Sequence, residues 1–416
     1  MVVPIRVPQN SNDMTNLRTN LIESRDAMNY PDALVQMRAL LPIFRAPIQE
    51  AIRLRRLPNA TCDDIRKSGL ARILQPARYG GAEAPLESMI DVLVPVGAAC
   101  GATAWCLAQF LIHNCMIARW PQAAQDAIWT NKPDALVSGI LIPLLGKATR
   151  VQGGARLSGR WPFVSGISGA DWCILSGMTE NETGAPAVES YFLLPAEQVT
   201  ILDTWYSIGL QGSGSHDVEV KDLFIPSHMI ITAKDLLGGE FAGRAANPGA
   251  LFRPPVYMTF GILLTSTVVG MAEAMLAEYL VQSRKAVAIM SGKEIGTFQA
   301  QQIKLGEAAA ALNAAQALIR ADAREIQGLA AANQQPDNAA RSKYRSNAAY
   351  ASGLAYSAAQ RIFDLAGARA IYANSEIGRI FLDIIVATRH VTQNVDINTA
   401  EHGRARMNLP LINRSL

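Results

Sequence analysis

Cysteine is scarce in this sequence, and none of its spacings is typical of a metal site or a disulfide framework. The five cysteines are odd in number, and no two of them form a Cys-x-x-Cys pair. Three of them, Cys100, Cys106 and Cys115, lie in one apolar segment. Free thiols are commonly buried in such segments, whereas secreted disulfide scaffolds use even numbers of cysteines. We therefore expect reduced thiols and a cytoplasmic location.

A large excess of one charge is also missing, as is a long apolar run. The formal net charge is only +3 over 416 residues, which gives no reason to expect a nucleic-acid partner. The most apolar stretch, residues 260–271, is too short and too rich in glycine for a membrane span. The N-terminus has no basic region followed by an apolar core, so export is not expected. We expect neither a nucleic-acid nor a membrane partner.

Several catalytic motifs do not occur. The chain has no His-Glu-x-x-His, no clustered His/Cys spacing, no Gly-x-Ser-x-Gly, no Walker loop and no Gly-x-Gly-x-x-Gly after a strand. These patterns supply zinc ligands, a nucleophilic serine, and phosphate or dinucleotide cradles. The sequence therefore predicts no metal site and no tightly held NAD(P)H.

What the sequence does contain divides into three segments, which suits a chain too long for one ordinary core. Residues 16–130 carry apolar residues at helical spacing. Residues 131–245 alternate β-favouring runs with glycine turns, including a hairpin over 151–157 and strands at 171–175, 191–194 and 218–226. Residues 250–416 are helical again, with helices predicted at 261–291, 297–332, 338–367 and 375–395. These segments predict a mostly α-helical protein with a central antiparallel β-domain and a C-terminal four-helix bundle.

Two side chains in the first segment share a helix face. His113 follows Trp105 by eight residues, which is just over two helical turns. A tryptophan and a histidine on one face can line a pocket with one aromatic wall and one hydrogen-bonding group. The same pattern is also produced by a core tryptophan and a satisfied buried histidine.

Two further motifs lie in the central segment. Residues 160–172 run Arg-Trp-Pro-Phe-Val-Ser-Gly-Ile-Ser-Gly-Ala-Asp-Trp, in which Phe163 precedes Ser165 by two positions. Residues 203–217 contain a Gly-Leu-Gln-Gly-Ser-Gly-Ser run that includes Ser213. Small residues let a backbone approach a ligand closely, and hydroxyls and amides hold phosphates. A strand ending in a Ser-Gly turn, and a plain loop, are the structural alternatives. His216 and His228 are expected at the surface.

The last motif is a histidine near the C-terminal end of the helical region. His390 lies seven residues beyond Asp383. On its own, such a histidine most often caps or solvates a helix.

Taken together, these motifs resemble the acyl-CoA dehydrogenase superfamily, which has the same helical, β, helical order. The dehydrogenases carry a catalytic glutamate near the position of His390. Its replacement by histidine resembles the oxygenase components of two-component flavin-dependent monooxygenases. The resemblance extends from Arg53 to His390, with weaker landmarks at residues 54–58 and 75–81.

The resemblance implies a set of cofactor contacts. Phe163 would flank the flavin ring, and the hydroxyl of Ser165 would approach its N5 side, where a group that can both donate and accept is suitable. The remaining cofactor contacts that it implies are Ser213, Arg284, Gly367 and Ala368. Arg284 would contact the flavin phosphate, and Gly367-Ala368 would face the cofactor of a neighbouring subunit. The cofactor would be reduced FAD, with FMN as the alternative, supplied by a separate flavin reductase.

The resemblance also implies a mechanism. Reduced flavin and O2 would form a C4a-(hydro)peroxyflavin, which a dry site preserves and which hydroxylates a small phenol or indole. His390 would stabilise or protonate the peroxide, since a histidine with its ordinary pKa exchanges protons near neutral pH. His113 would bind and activate the substrate, Trp105 would stack on it, and Ser138 would line the same pocket. A homotetramer is expected because narrow alanine-rich helices, such as residues 308–332, pack closely.

Three alternatives remain open. Relatives on the same framework oxygenate sulfur or nitrogen. An acyl-thioester dehydrogenase would need a carboxylate base, but Glu376 precedes residues 379–383, whereas the dehydrogenase base follows its counterpart of that stretch. A helical scaffold protein without catalytic activity is the third.

Overall fold

The computed structural model of the protein describes residues 29–180, 186–284, 286–288 and 290–412. Its α-helices are α1 (Tyr30–Arg45), α2 (Ile48–Leu54), α3 (Asn59–Lys67), α4 (Ser88–Ala99), α5 (Gly101–Ile117), α6 (Gln122–Trp129), α7 (Ala233–Leu236), α8 (Val256–Ser283), α9 (Gln299–Ala331), α10 (Asn338–Ala366), α11 (Glu376–Ala387) and α12 (Val395–Arg406). Its strands are β1 (Val137–Ile140), β2 (Gly146–Val151), β3 (Gly154–Val164), β4 (Trp172–Glu180), β5 (Val188–Pro195), β6 (Thr200–Leu202), β7 (His216–Pro226) and β8 (Ile230–Thr232). The start of the helical segment predicted over residues 16–130 lies outside the described residues.

The eight strands form one sheet between the two helical regions. Its order is β6-β7-β3-β2-β4-β5-β8, and β1 pairs with β4 beside β2. The predicted hairpin is present as β2 and β3. The prediction of a wholly antiparallel sheet needs one correction, because β1 and β2 both pair with β4 in parallel. The sheet is therefore mixed.

Helix α8 is the central element of the C-terminal region. It is long and apolar enough to cross a membrane by composition, but 83% of its most apolar window is buried inside the protein, as in a core helix. Glycine allows its neighbours to come close: a Cβ at Gly270 would lie 2.2 Å from Val94 O in α4, and one at Gly261 would lie 2.7 Å from Ala348 Cβ in α10. The apolar composition of residues 260–271 therefore reflects burial on every side.

The helix ends follow local sequence signals in part. Asp337 caps α10 by accepting a hydrogen bond from the Ala340 N–H, and Gly367 ends it at φ +60°, which agrees with the helix predicted over 338–367. The fourth predicted helix, 375–395, is too long. α11 ends at Ala387, a 3₁₀ turn spans Val391–Gln393, and α12 follows. The break between α11 and the 3₁₀ turn falls at His390, so this predicted site residue lies in a loop and not inside a helix.

Candidate functional site

Helix α5 carries Trp105 and His113 into the boundary between the sheet and α8. All but one of its residues are buried, so both side chains face protein. The Trp105 indole N–H donates to Ser165 Oγ at 3.1 Å, and His113 Nδ1 lies 3.1 Å from Val137 O. Both contacts reach the β-domain. The eight-residue spacing therefore directs two polar groups toward neighbouring parts of the same sheet.

A row of serine hydroxyls continues from Trp105. Ser165 Oγ and Ser215 Oγ are 2.8 Å apart, and Ser215 Oγ and Ser213 Oγ are also 2.8 Å apart. The hydroxyl of Ser138 donates to Ser165 O at 2.5 Å. All four serines are buried. Because the indole N–H of Trp105 can only donate, it occupies an acceptor position on Ser165 and leaves the Ser165 proton for Ser215 or a ligand.

His390 lies on the other side of Trp105. The two rings meet edge to face, with centroids 5.9 Å apart. His390 Nδ1 accepts from the Thr392 N–H at 3.3 Å, and Thr392 Oγ1 lies 2.9 Å from the same nitrogen. The ring thus caps the 3₁₀ turn, and with Nδ1 as an acceptor the neutral ring carries its proton on Nε2. Burial lowers the pKa of His390 to about 4, so near neutral pH it is a neutral hydrogen-bond donor and not a proton exchanger.

His113 has the opposite tautomer. Its Nδ1 lies against a carbonyl, which can only accept, so Nδ1 carries the proton and Nε2 is the acceptor. Burial lowers the pKa of His113 to about 4 as well, against the opposing effect of its bond to Val137 O. The two histidines are therefore both neutral, one donating through Nε2 and the other accepting through Nε2.

Phe163 stands at the rim of this cluster in an unusual conformation. Its φ is +65°, at an irregularity in the β3–β7 register between Trp161 and Val164, and its side chain is 60% exposed. Positive φ costs a non-glycine residue about 1–2 kcal/mol. Its ring meets Trp205 edge to face at 6.4 Å. A strained, exposed aromatic ring two residues from the buried Ser165 hydroxyl fits the flank of a planar cofactor such as flavin.

The glycines of the 209–215 loop pack closely against neighbouring parts of the protein. A Cβ at Gly209 would lie 2.1 Å from Leu382 O, one at Gly212 would lie 2.8 Å from Ala51 Cβ, and one at Gly214 would lie 2.9 Å from Arg56 Cβ. Protein therefore occupies the space beside all three glycines, so they serve the packing of the loop against α2 and α11. That this loop also approaches a ligand stays a prediction.

Asp383 fastens the same loop to α11. Its Oδ1 accepts from the Leu210 N–H at 2.6 Å, and its Oδ2 pairs with Arg379 at 2.9 Å. Arg379 also binds Glu376, which in turn contacts Arg45. Although burial opposes ionisation of Glu376, the hydrogen bond and charge of Arg379 hold its pKa below the usual range. Glu376 is therefore a paired structural carboxylate, which argues against its use as a dehydrogenase base.

The remaining predicted cofactor contacts lie at another place on the surface. Arg284 follows α8 and is exposed, and Gly367 ends α10. Ala368 lines a surface cavity of about 340 Å³ together with Ser283 and Arg369. The structure thus places these three positions where the ends of α8 and α10 meet.

Sequence reasoning missed three participants and misplaced one. Ser215 and Thr392 were not assigned, although each lies two residues from a predicted site residue. Asp383 served only as a landmark. His216, expected at the surface, is buried, and its Nδ1 accepts from the N–H groups of Thr204 and Trp205. His228 is exposed, as expected.

Comparisons with known proteins agree with this architecture. Residues 262–395 match the family model "Acyl-CoA dehydrogenase, C-terminal domain". The oxygenase component of p-hydroxyphenylacetate 3-hydroxylase from Acinetobacter baumannii is 28% identical over 96% of this chain and 98% of its own. Among solved structures, the HsaA monooxygenase of M. tuberculosis has a TM-score of 0.88 at 25% identity, with 94% of this chain and 100% of that chain covered.

A third relative was solved with a reduced flavin. XiaF from Streptomyces sp., in complex with FADH2 and glycerol, has a TM-score of 0.86 at 25% identity and covers 97% of this chain and 99% of its own.

Among the described residues, no group of three or more His, Cys, Asp or Glu side chains is arranged to hold a metal ion. Along nearly its whole length, the protein is thus a homologue of the flavin-dependent monooxygenase oxygenase components that are built on the acyl-CoA dehydrogenase fold.

Proposed function

We propose that this protein is the oxygenase component of a two-component flavin-dependent monooxygenase that hydroxylates a small aromatic substrate of the phenol or indole type. The observation that carries the proposal is the cluster of Trp105, Ser165 and His390, in which one indole joins a serine hydroxyl to a histidine. The named relatives support the reaction type. Oxygenation at sulfur or nitrogen stays the alternative.

Reduced flavin, when bound, supplies the activation of O2 and the transfer of one oxygen atom. Phe163 is proposed to flank the flavin ring, and Ser165 to hydrogen-bond its N5 side. Ser213 is proposed to support this contact through the row of serine hydroxyls. Arg284 and the Gly367-Ala368 turn are proposed to hold the distal part of the cofactor, the turn acting on the cofactor of a neighbouring subunit. Such a distal contact favours FAD over FMN, in agreement with the FADH2 complex of XiaF.

His390 is proposed to act as a neutral donor through Nε2. The N–H of a neutral imidazole is a very weak acid and keeps its proton, which suits a site that must keep proton traffic away from a reactive oxygen species. This replaces the expectation of a histidine that exchanges protons near neutral pH, because burial lowers its pKa to about 4. Trp105 closes the site between His390 and Ser165.

His113 is proposed to accept a hydrogen bond from the substrate. With Nδ1–H held by Val137 O, its Nε2 is available for a phenolic O–H or an indole N–H. Accepting this hydrogen bond increases electron density in the ring, which favours attack by an electrophilic oxygen. Ser138, whose hydroxyl is used by Ser165 O, would contribute to this pocket through its position in β1.

The proposed partners follow from this scheme. A flavin reductase would supply reduced flavin, since the chain lacks a visible NAD(P)H motif. A homotetramer would bring the Gly367-Ala368 turn to the cofactor of a neighbouring subunit. Sedimentation as a monomer at micromolar concentration would contradict the tetramer and the cross-subunit role of this turn. A cytoplasmic location stays a prediction.

The test is oxygen consumption by the purified protein with reduced FAD, with and without a panel of phenols, indoles and sulfur heterocycles. We expect substrate-dependent product and tighter binding of reduced than of oxidised flavin, with little NAD(P)H oxidation. Direct NADH turnover without a reductase would contradict the two-component scheme. A protein that neither binds flavin nor alters its oxidation would be the scaffold that the sequence left open.

A further inference from the structure

A row of aromatic rings leads away from His113 along the start of α8. Phe260 lies 6.3 Å from His113 between ring centroids, and it stacks on Tyr257 at 6.2 Å with the planes 29° apart. Positions 257 and 260 are three residues apart and so lie on one helix face. The row therefore connects the proposed substrate-binding nitrogen of His113 to the half-buried Tyr257.

At the far end of this row, Tyr257 belongs to a chain of hydrogen bonds with a fixed direction. Tyr257 Oη and Tyr191 Oη are 2.5 Å apart, and the Tyr191 hydroxyl also contacts Glu189 Oε1. A carboxylate oxygen can only accept, so the Tyr191 proton goes to Glu189. Tyr191 can then only accept from Tyr257, whose single proton is used in that bond. Tyr257 Oη is left with acceptor capacity alone.

Both phenols keep their protons near neutral pH, which preserves this direction. Burial, together with Tyr257 and Glu189, raises the pKa of Tyr191 far above its ordinary value. Burial raises the pKa of Tyr257 to about 12. Glu189 and Arg345 shift the pKa of Tyr257 in opposite directions, and burial raises it most, so these buried surroundings disfavour a charged group of either sign. The partner that suits Tyr257 Oη is a neutral donor.

Resting on the proposed function, we infer that the substrate carries two neutral hydrogen-bond donors, one bound by His113 Nε2 and the other by Tyr257 Oη, with Phe260 against its aromatic part. The substrate class is an aromatic diol, or a hydroxylated aromatic with an N–H. Tyr257 is the residue that determines this specificity, and Tyr191 is the positioning residue that makes it an acceptor. A methoxy or carboxylate group facing Tyr257 Oη has no proton to donate. Its oxygen lone pairs would therefore meet the lone pair of Tyr257 Oη without forming a hydrogen bond.

The test compares phenols matched in size whose second substituent is hydroxyl or methoxy, at the meta and para positions. Affinity is measured by titration calorimetry, and kcat/KM is measured with reduced FAD under air. The parent should prefer the diol, and Tyr257→Phe should lose about 3- to 10-fold of that preference, the range of one hydrogen bond. Tyr79→Phe is the control, since Tyr79 likewise donates to a carboxylate, that of Asp126 at 2.6 Å, but lies in the N-terminal helices.

A second variant reverses the polarity of the site. Tyr191→Phe removes the acceptor of the Tyr257 proton, so Tyr257 becomes able to donate and the methoxy compounds should gain affinity relative to the diols. The inference is overturned if Tyr257→Phe keeps the parent preference, or if Tyr191→Phe leaves the methoxy compounds unimproved. Substrate-free oxidation of reduced FAD should be the same in the Tyr79→Phe control as in the parent.

The two readouts separate this inference from the proposed function. If calorimetry shows a diol preference that Tyr257→Phe abolishes while no oxygenated product forms with any compound, the binding inference stands and the oxygenase function fails. If products form with the same preference in every variant, the function stands and the inference fails.

Discussion

The indole N–H of Trp105 donates to Ser165 Oγ across 3.1 Å, and this bond determines where the serine proton can go. The indole N–H of Trp105 can donate but not accept, and it occupies one lone pair of Ser165 Oγ. The hydroxyl proton of Ser165 is therefore directed to Ser215 or to a bound cofactor. Trp105 was assigned to substrate stacking from the sequence. In the structure, its indole N–H orients the hydroxyl of Ser165, the group that we propose faces the cofactor.

Trp105→Phe should therefore uncouple oxygen use from product formation. It retains a ring beside His390 but removes the N–H, so Ser165 loses its fixed orientation. The ratio of product to oxygen consumed should fall severalfold. Trp120→Phe is the matched control, because Trp120 is also buried and donates to a backbone oxygen, Met229 O at 3.0 Å. Both variants should lose about 1–3 kcal/mol of stability, and equal coupling in the two would refute the role of Trp105.

His390→Ala should affect product formation more than flavin binding. Loss of one positioned hydrogen-bond donor at a reacting group typically costs about 10²–10³-fold, so hydrogen peroxide should replace most of the product while the Kd for reduced FAD changes little. His228→Ala, at an exposed position, should match the parent. Unchanged coupling in His390→Ala would remove this residue from the mechanism.

His113→Ala should have a different kinetic signature. Because His113 Nε2 is proposed to accept from the substrate, its loss should raise the substrate KM and slow oxygen transfer. Oxidation of reduced flavin without substrate should stay close to that of the parent. Rapid-mixing absorbance with and without substrate checks this, and an equal defect in both conditions would contradict a role confined to the substrate.

His113 and His390 should make the fold sensitive to acid but not to pH near neutrality. Their folded pKa of about 4 lies below the unfolded value of about 6.5. Only the unfolded chain takes up protons between these values, so stability is present above about pH 6.5 and is lost as pH falls toward 4. For fully buried His113 the loss is at most about 3 kcal/mol. Melting curves from pH 7 to 4.5 should show a smaller decline in His113→Gln than in the parent, and equal slopes would contradict the shift.

Gly209→Ala should be strongly destabilising because its Cβ would lie 2.1 Å from Leu382 O, a backbone atom that cannot move aside. We expect a loss of more than about 2 kcal/mol and weaker binding of reduced flavin, since the 209–215 loop would separate from α11. Gly306→Ala, inside α9 with no atom within 4 Å of its Cβ, should instead be neutral or stabilising by up to about 1 kcal/mol. Similar melting temperatures for the two variants would argue against the packing role of Gly209.

Local signals in the sequence located much of the fold. Local residues determine the Gly153-Gly154 hairpin, the Asp337 cap and the Gly367 helix end. Features of this kind can be predicted from a few neighbouring positions in the sequence. The parallel pairing of β1 and β2 with β4 was not readable, since register between distant strands depends on tertiary packing.

The site shows the same limit. The resemblance implied roles for Ser165 and His390, but not that Trp105 lies between them. The tautomers of His113 and His390 depend on partners, Val137 O and the Thr392 N–H, that only the folded backbone supplies. Gly209, Gly212 and Gly214 suggested a ligand because a glycine pattern looks the same whether a cofactor or another helix fills the space.

The contact between Trp105 and His390 also bears on how the protein matures during synthesis. The two rings come from residues far apart in the sequence, and such contacts form late because the intervening loop must close first. A ribosome-bound chain that ends before α11 holds Trp105 and Ser165 but not His390 or the Asp383 anchor. The cluster of Trp105, Ser165 and His390 is therefore incomplete until nearly the last helix has emerged, so under the proposed function a nascent chain could not yet couple flavin oxidation to product.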